Sequence, residues 1–184
     1  MDQKEKTLQI LLEEYRVLKA EQGMRIGFRD NLLYVTLGLF GAIASFAVAN
    51  TQGVYAFLII PWVCLVMGWT YVVNDQKITA IGRHIRYTLE DRISTLIGGP
   101  ADNQYLFGWE TAHRDDSRRM SRKYLQLCID EIAFVFSGLT ALLVFWVLVP
   151  ESTPLLITLS ALEAVLLLAL GIQIAIYADL AKGH

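Results

Sequence analysis

Positive charge divides this chain into segments. Six of its 16 lysine and arginine residues fall in the first thirty residues, nine lie between positions 74 and 130, and one stands near the C-terminus. The intervening segments are long and apolar, and the two short breaks within them, Asn50–Gly53 and Pro150–Pro154, carry no positive charge. Basic residues that flank apolar segments on one side alone follow the positive-inside rule of polytopic membrane proteins. The sequence therefore predicts a multi-pass membrane protein with its N-terminus and its C-terminus in the cytoplasm.

Composition supports this class and disfavours others. At 184 residues, of which 54% are hydrophobic, the chain is too apolar for an ordinary soluble domain of its length. Its acidic residues share the segments that carry the basic ones, whereas a nucleic-acid surface needs a basic excess on one face. The first thirty residues also lack the apolar core and small-residue cleavage site of a secretory signal peptide. We therefore expect no nucleic-acid partner, and we expect the first apolar segment itself to direct membrane insertion.

The lengths of the apolar runs predict four membrane crossings. A helix needs about twenty residues to cross a hydrocarbon core that is roughly 30 Å thick. The predicted crossings are Leu32–Ala49, Val54–Val73, Ile132–Val149 and Leu155–Ala178. We predict an all-α fold of two transmembrane helical hairpins with projecting cytoplasmic amphipathic helices. In chain order, it comprises a cytoplasmic amphipathic helix over residues 1–31, hairpin 1 over 32–73, a cytoplasmic helical region over 74–131, hairpin 2 over 132–178 and a cytoplasmic tail over 179–184.

Spacing outside these crossings indicates further helices. Near the N-terminus, a mostly apolar stripe alternates in steps of three and four, as the core positions of a coiled coil do. Its members are Leu8, Leu11, Tyr15, Leu18 and Gln22. The stripe lasts barely two heptads, which favours packing against this protein's own cytoplasmic helices over a partner helix or a second copy. After the second crossing, helical spacing continues as far as Ile97, where Gly98-Gly99-Pro100 predicts the end of the helix.

Glu163 is the most informative single residue because it lies within the fourth apolar run. An acidic side chain at the centre of a membrane helix costs about 2.5–3.5 kcal/mol, so such residues usually face protein or water and often mark ion or proton paths. No lysine or arginine lies in any predicted crossing to pair with it. We therefore expect Glu163 to be protonated, hydrogen-bonded to a hydroxyl such as that of Ser137 or Thr140, or exposed to an aqueous cavity. Structural and functional roles are both open, and Gln173 is a weaker polar candidate on another face of the same helix.

The first crossing carries small residues at four-residue spacing, which we call the small-residue seam. Its members are Gly38, Gly41, Ala42, Ser45 and Ala49. Small residues at this interval allow helix backbones to approach closely in lipid. The seam therefore predicts either contact with the other helices of the two hairpins or self-association of the chain.

A basic cluster precedes the third crossing and contains Arg118, Arg119, Arg122 and Lys123. Near the inner membrane surface, each such charge would be attracted to anionic lipid head groups by about 1 kcal/mol. Topology signalling explains these charges, and a lipid-facing regulatory site is the alternative interpretation.

No chemical motif accompanies these features. The sequence has no phosphate-binding loop and no nucleophilic serine in a Gly-x-Ser-x-Gly setting. Its two cysteines, Cys64 and Cys128, have no second cysteine or histidine at ligand spacing, and we expect both to be buried and inert. We therefore expect no enzyme activity, no bound metal and no cofactor.

Two stretches of the chain carry a family resemblance. The segment Gly68–Ile78, continued by Ala80–Arg86, resembles a family of uncharacterised bacterial integral membrane proteins, and Leu106–Glu110 followed by His113-Arg114 is similar to a second mark of that family. More distantly, the order of N-terminal helix, membrane hairpin and amphipathic helix resembles the SLATT-type two-crossing effectors of bacterial nucleotide-signalling and anti-phage systems. The resemblances imply a bacterial inner (plasma) membrane protein and, for the second, oligomerisation into a membrane-perturbing pore. This chain differs from those effectors by its second hairpin, and no site residue is carried over.

These observations lead to two hypotheses about function. The first is a small oligomeric pore-like or effector membrane component, in which Glu163 and the small-residue seam line or build the assembly. The alternative is a non-conducting scaffold or accessory subunit that binds a cytoplasmic partner protein through its helical region. The expected partners are the lipid bilayer, further copies of the chain and, for the alternative, that cytoplasmic protein.

Overall fold

The computed structural model describes residues 3–50, 53–99, 106–107, 118–149 and 153–178. All regular secondary structure within these ranges is helical. Four helices, which we number α1 to α4 in chain order, are each long and apolar enough to span a membrane. The predicted all-α fold with four long apolar helices is therefore confirmed.

Two of these helices are uniform, and two change their winding along their length. The uniform ones are α1, Gln3–Ala49, and α4, Pro154–Tyr177. The segments of α2 are a 3-10 turn over Gly53–Leu58, an α-helix over Ile59–His84, a π-helical turn over Ile85–Leu89 and an α-helix over Glu90–Ile97. The segments of α3 are an α-helix over Arg119–Asp130, a π-helical turn over Glu131–Phe136 and an α-helix over Ser137–Leu148.

The helix α2 ends at the position that Gly98 and Gly99 predict. Gly98 and Gly99 have φ angles of 98° and 84°, in the left-handed region where only glycine avoids a steric penalty. The Gly99 N–H donates a hydrogen bond to Ser94 O at 2.9 Å, which satisfies a carbonyl of the last helical turn. The predicted helix end after Ile97 is therefore confirmed, while Pro100 lies outside the described residues.

The chain divides into two compact units. Most charged residues belong to the first, which consists of Met1–Phe28 and Asn74–Arg119 and which we call the charged unit. The second consists of Arg29–Val73 and Met120–His184, contains the long apolar runs, and is called the apolar unit. The helices α1 and α2 each contribute residues to both units.

A small apolar core holds the charged unit together, and the N-terminal stripe supplies one side of it. Leu11 of α1 is buried against Leu89 and Ile93 of α2. Tyr15, one turn after Leu11, stacks on Phe107 with ring centroids 4.2 Å apart. The stripe therefore packs within this chain, which confirms the prediction of intramolecular packing.

Helices α2, α3 and α4 supply most of the core of the apolar unit. Its fully buried side chains include Ile60 of α2, Phe134 of α3 and Leu167 of α4. Three consecutive residues of α3, Ala133–Val135, are all buried. Successive side chains of an α-helix point about 100° apart, so three in a row do not normally face one core. These three lie in the π-helical turn, whose wider winding turns them toward one side.

Candidate functional site

Glu163 occupies the buried face of α4. Its side chain has 0% exposure, and neither carboxyl oxygen makes a hydrogen bond to any part of the chain that the structure describes. Ser160 lies one turn earlier on the same face and is 5% exposed. Its hydroxyl oxygen is likewise buried without a hydrogen-bond partner among the described residues. Two neighbouring polar groups therefore lie inside the apolar unit unsatisfied, although buried polar groups in folded proteins are nearly always hydrogen-bonded.

Neither hydroxyl that the sequence suggested as a partner binds Glu163. The Ser137 hydroxyl donates instead to Ile132 O at 2.8 Å, five residues back, as the π-helical turn allows. Thr140 is exposed, because the face of α3 that packs inward is that of Gly138 and Ala141. The prediction of a hydrogen bond from Ser137 or Thr140 to Glu163 is therefore wrong, and complete burial also excludes the predicted exposure to an aqueous cavity.

One aromatic side chain approaches the buried carboxyl. The indole of Trp62 on α2 lies within interaction range of the Glu163 carboxyl, although the two do not meet the geometry of a hydrogen bond. Trp62 is itself partly exposed, and its ring also lines an external groove. The same residue therefore approaches the carboxyl and borders the groove.

That groove lies between α2 and α4 and has a volume of about 520 Å³. Its aromatic and polar lining comprises Trp62, Trp69, Thr70 and Gln173. Volumes of about 300–1,000 Å³ are typical of small-molecule sites. The structure thus places Gln173, predicted as a polar candidate, in an open groove, whereas Glu163 is buried and is not among the residues that line it.

The small-residue seam is uncovered. All five of its members, Gly38, Gly41, Ala42, Ser45 and Ala49, are exposed. A Cβ atom placed on Gly38 or Gly41 would have no neighbouring atom of the described chain within 4 Å. The predicted alternative, contact of the seam with the other helices of this chain, is therefore wrong, because α1 packs on the apolar unit through its opposite face.

The basic cluster is only partly directed outward. Arg118 and Arg122 are exposed and Lys123 is half-buried, while the side chain of Arg119 lies outside the described part of the structure. Each of the first three has an interaction partner within the protein. The predicted lipid-facing role stays a prediction.

The two cysteines differ in exposure. Cys64 is buried in α2, as predicted, whereas Cys128 is exposed, so the prediction of burial for Cys128 is wrong. The residues that the structure describes contain no group of three or more histidine, cysteine or acidic side chains placed to hold a metal ion. Comparison of the chain with protein-family models, with curated proteins and with solved structures found no match.

Sequence reasoning missed two members of the site. Ser160 precedes Glu163 by three residues, and that helical spacing was a signal that the two share a face. Trp62 carried no such signal, because its approach to Glu163 depends on how α2 packs against α4. The site that emerges is a fully buried carboxyl with an unsatisfied hydroxyl beside it and an indole at its margin.

Proposed function

We propose that this protein is a multi-pass component of a bacterial inner membrane that acts as a small oligomer, pore-like or effector in character. In this proposal the four apolar helices cross the bilayer as two hairpins, with both termini and the charged segments in the cytoplasm. The support is the length and apolar composition of the four helices, together with the placement of 15 of the 16 basic residues in two segments on one side of the predicted crossings.

The uncovered small-residue seam is the observation that carries the oligomeric part of the proposal. Within the apolar stretch of α1, 17% of residues are buried, compared with 44% in α2. Lipid tails are as apolar as leucine, so burial of apolar surface gives helices little reason to associate in a bilayer. Small residues allow the close backbone approach that does stabilise association there. Because no other part of the described chain covers the seam, a second copy of α1 is the partner that it fits.

Site-directed disulfide formation tests this interface. One cysteine replaces Ala42 on the seam, and the control cysteine replaces Leu37, which is also exposed on α1 but lies about 140° from Ala42 around the helix. Both variants are made in a Cys128→Ser background, in which the remaining Cys64 is buried. We expect oxidant to link Ala42→Cys copies into dimers in membranes and to leave Leu37→Cys monomeric. Equal cross-linking at the two positions would remove the seam from the proposal.

Conduction is a separate part of the proposal and has its own test. Glu163 is buried within each copy, so a pore between copies would not be lined by its carboxyl unless the helices of a copy rearrange. We expect liposomes that contain the protein to pass small ions, and Glu163→Leu should reduce that flux if such a rearrangement brings the carboxyl to the pore. Unchanged flux in Glu163→Leu would show that conduction, if present, does not use this residue. No flux in either protein would leave a non-conducting assembly.

A second observation favours the alternative of a scaffold or accessory subunit. Ile10, Val17 and Met24 of the charged unit are exposed at seven-residue spacing on α1, on a different face from the packed stripe. Val17 and Met24 also line a cavity of about 630 Å³ within this unit. Exposed apolar residues at this spacing suit contact with another helix.

A photo-cross-linking residue at Val17 separates the two functions. Cross-links between copies would support the oligomer, and cross-links to one defined cytoplasmic protein would support the scaffold. Leu12 provides the control, since it is exposed on the same helix but lies off this spacing. We expect Leu12 to give neither product.

A further inference from the structure

The unsatisfied groups on α4 need a physical explanation. Burial of an ionised carboxylate that has neither a counter-ion nor hydrogen-bond donors is so costly that the group takes up a proton instead. Glu163 is fully buried, and its two oxygens have no hydrogen-bond partner among the described residues. Unpaired buried polar groups in native structures usually mark a bound water, a bound ion or a chemically active group.

The surroundings of Glu163 offer no charge to offset its own. The segments of the apolar unit over residues 31–49, 53–73 and 132–149 contain no aspartate, glutamate, histidine, lysine or arginine. The titratable side chains of these segments and of α4 are Tyr34, Tyr55, Cys64, Tyr71, Tyr177 and Glu163 itself. The charged residues of the apolar unit, among them Arg29, Arg122, Lys123 and Glu131, lie outside these segments, so no cation within them can pair with the Glu163 carboxyl.

From this geometry, we infer that Ser160 and Glu163 form a buried proton-binding site in which the Glu163 carboxyl holds one exchangeable proton. The Ser160 hydroxyl, one turn away, can accept or donate a hydrogen bond toward a water that carries the proton in or out. Release of the proton leaves a carboxylate on Glu163 and a hydronium ion in the water. A metal ion fits the site poorly, because calcium or magnesium needs about six or more oxygen ligands. The two side chains supply three oxygens.

The groove between α2 and α4 gives this proton a route. Trp62 lines the groove and also approaches the Glu163 carboxyl, so a proton that moves between the groove and the carboxyl would pass this side chain. Thr70 and Gln173 place polar groups in the same groove. Removal of the indole should therefore expose the carboxyl to reagents and to water without altering α4. Trp62 acts here as a positioning residue that limits access.

Labelling with dicyclohexylcarbodiimide tests the inference on the full-length protein in detergent. The O–H of a neutral carboxyl adds across one C=N bond of this apolar reagent, and the resulting O-acylisourea rearranges to a stable N-acylurea with no further reactant. We expect mass spectrometry to find the label on Glu163 at neutral pH. Above the titration point of the group, we expect the labelling rate to fall about tenfold for each unit of pH. Glu163→Gln should abolish the label, and Trp62→Ala should speed it.

Glu13 of α1 is the internal control, because its carboxylate is exposed to water and pairs with Arg16 at 3.1 Å. It should label far more slowly than Glu163 at the same pH. The variant Gly38→Leu, at the seam, should label at Glu163 as the original protein does. Loss of the oligomer and loss of the proton site are thereby distinguished.

Two results would overturn the inference. If Glu163 stays unlabelled at neutral pH in both the original protein and Trp62→Ala, the carboxyl is ionised even when the reagent can reach it. If sodium or potassium chloride suppresses the label at constant pH, the site binds a metal cation rather than a proton. An infrared difference spectrum between low and high pH gives an independent reading, because a protonated carboxyl shows a C=O stretch that Glu163→Gln would remove.

Discussion

Glycines in the apolar unit occupy two contrasting settings. A Cβ atom placed on Gly68 of α2 would lie 2.6 Å from Leu170 Cδ2 of α4 and 3.0 Å from Phe134 Cβ of α3. On Gly38 or Gly41 of α1 it would have no neighbour in the described chain within 4 Å. Close packing of three helices requires a small residue at Gly68, whereas Gly38 and Gly41 of α1 are small although no described residue covers them.

The contrast teaches that one sequence pattern serves two kinds of packing. Gly138 of α3 resembles Gly68, since its Cβ would lie 2.7 Å from Leu167 Cδ1 of α4. Gly171 of α4 likewise makes room for the Glu131 carboxylate, whose Oε2 would lie 3.0 Å from a Cβ there. In α2, α3 and α4 small residues thus allow contacts within the chain. In α1 the same residue types leave a flat face available to a second molecule.

The largest expected effect is at Gly68, where α2, α3 and α4 pack together. Gly68→Leu should lower the free energy of unfolding by about 3 kcal/mol, because the new side chain must displace Phe134, whose Cβ is fixed by the backbone. Thermal unfolding in detergent, followed by circular dichroism, measures the loss. Gly38→Leu is the matched control and should unfold at the same temperature as the original protein or above it. Equal losses at the two positions would mean that the seam is covered in the folded monomer.

Next in size is the effect of larger side chains on the small-residue seam. The double variant Gly38→Leu and Gly41→Leu should weaken self-association about tenfold for each ~1.4 kcal/mol of close packing that is lost. The monomer should gain stability, because glycine inside a helix costs about 1 kcal/mol relative to a good helix former. Sedimentation in detergent and energy transfer between labelled copies in liposomes measure the association. An unchanged oligomer would show that the chains meet elsewhere.

The Glu163 carboxyl lies in the packed interior but makes no hydrogen bond there. Its replacement should therefore raise the free energy of unfolding, whereas Gly68→Leu lowers it. Glu163→Leu should raise the free energy of unfolding by about 1 kcal/mol, because an unsatisfied buried polar group is replaced by an apolar one. Glu163→Gln keeps an unsatisfied polar group and should change stability less. Thermal unfolding distinguishes a structural role of Glu163 from a functional one, both of which the sequence left open. A clear loss of stability in Glu163→Leu would identify Glu163 as a structural residue.

The length of the apolar runs made the four helices predictable, and the adjacent Gly98 and Gly99 made the end of α2 predictable. Four apolar stretches of about twenty residues leave little choice of element, and adjacent glycines with positive φ end a helix wherever they occur. The packed stripe near the N-terminus was also readable, because its members recur in alternating steps of three and four residues. In these regions, local sequence alone carries the structural information.

The orientation of the apolar helices was not predictable in the same way. α4 is apolar on nearly all sides, so its periodicity does not reveal which face packs inward, and the burial of Glu163 follows only from contacts with α2 and α3. The Ser137 hydroxyl donates to Ile132 O in the π-helical turn of α3 rather than to Glu163, and no residue pattern announced that turn. The seam was recognisable as a packing surface, but its spacing could not tell which molecule would cover it.

The smallest expected effect is at a polar contact between α2 and α3. The Gln126 amide of α3 donates hydrogen bonds to Tyr71 Oη of α2 at 3.0 Å and to Asp130 Oδ1 at 2.8 Å. Tyr71→Phe removes the first of these acceptors but keeps the ring, so the free energy of unfolding should fall by about 1 kcal/mol. Tyr55→Phe is the control, since Tyr55 is exposed and its hydroxyl makes no hydrogen bond within the described chain. If both variants unfold at the temperature of the original protein, the hydrogen bond between Gln126 and Tyr71 contributes nothing to the stability of the packing between α2 and α3.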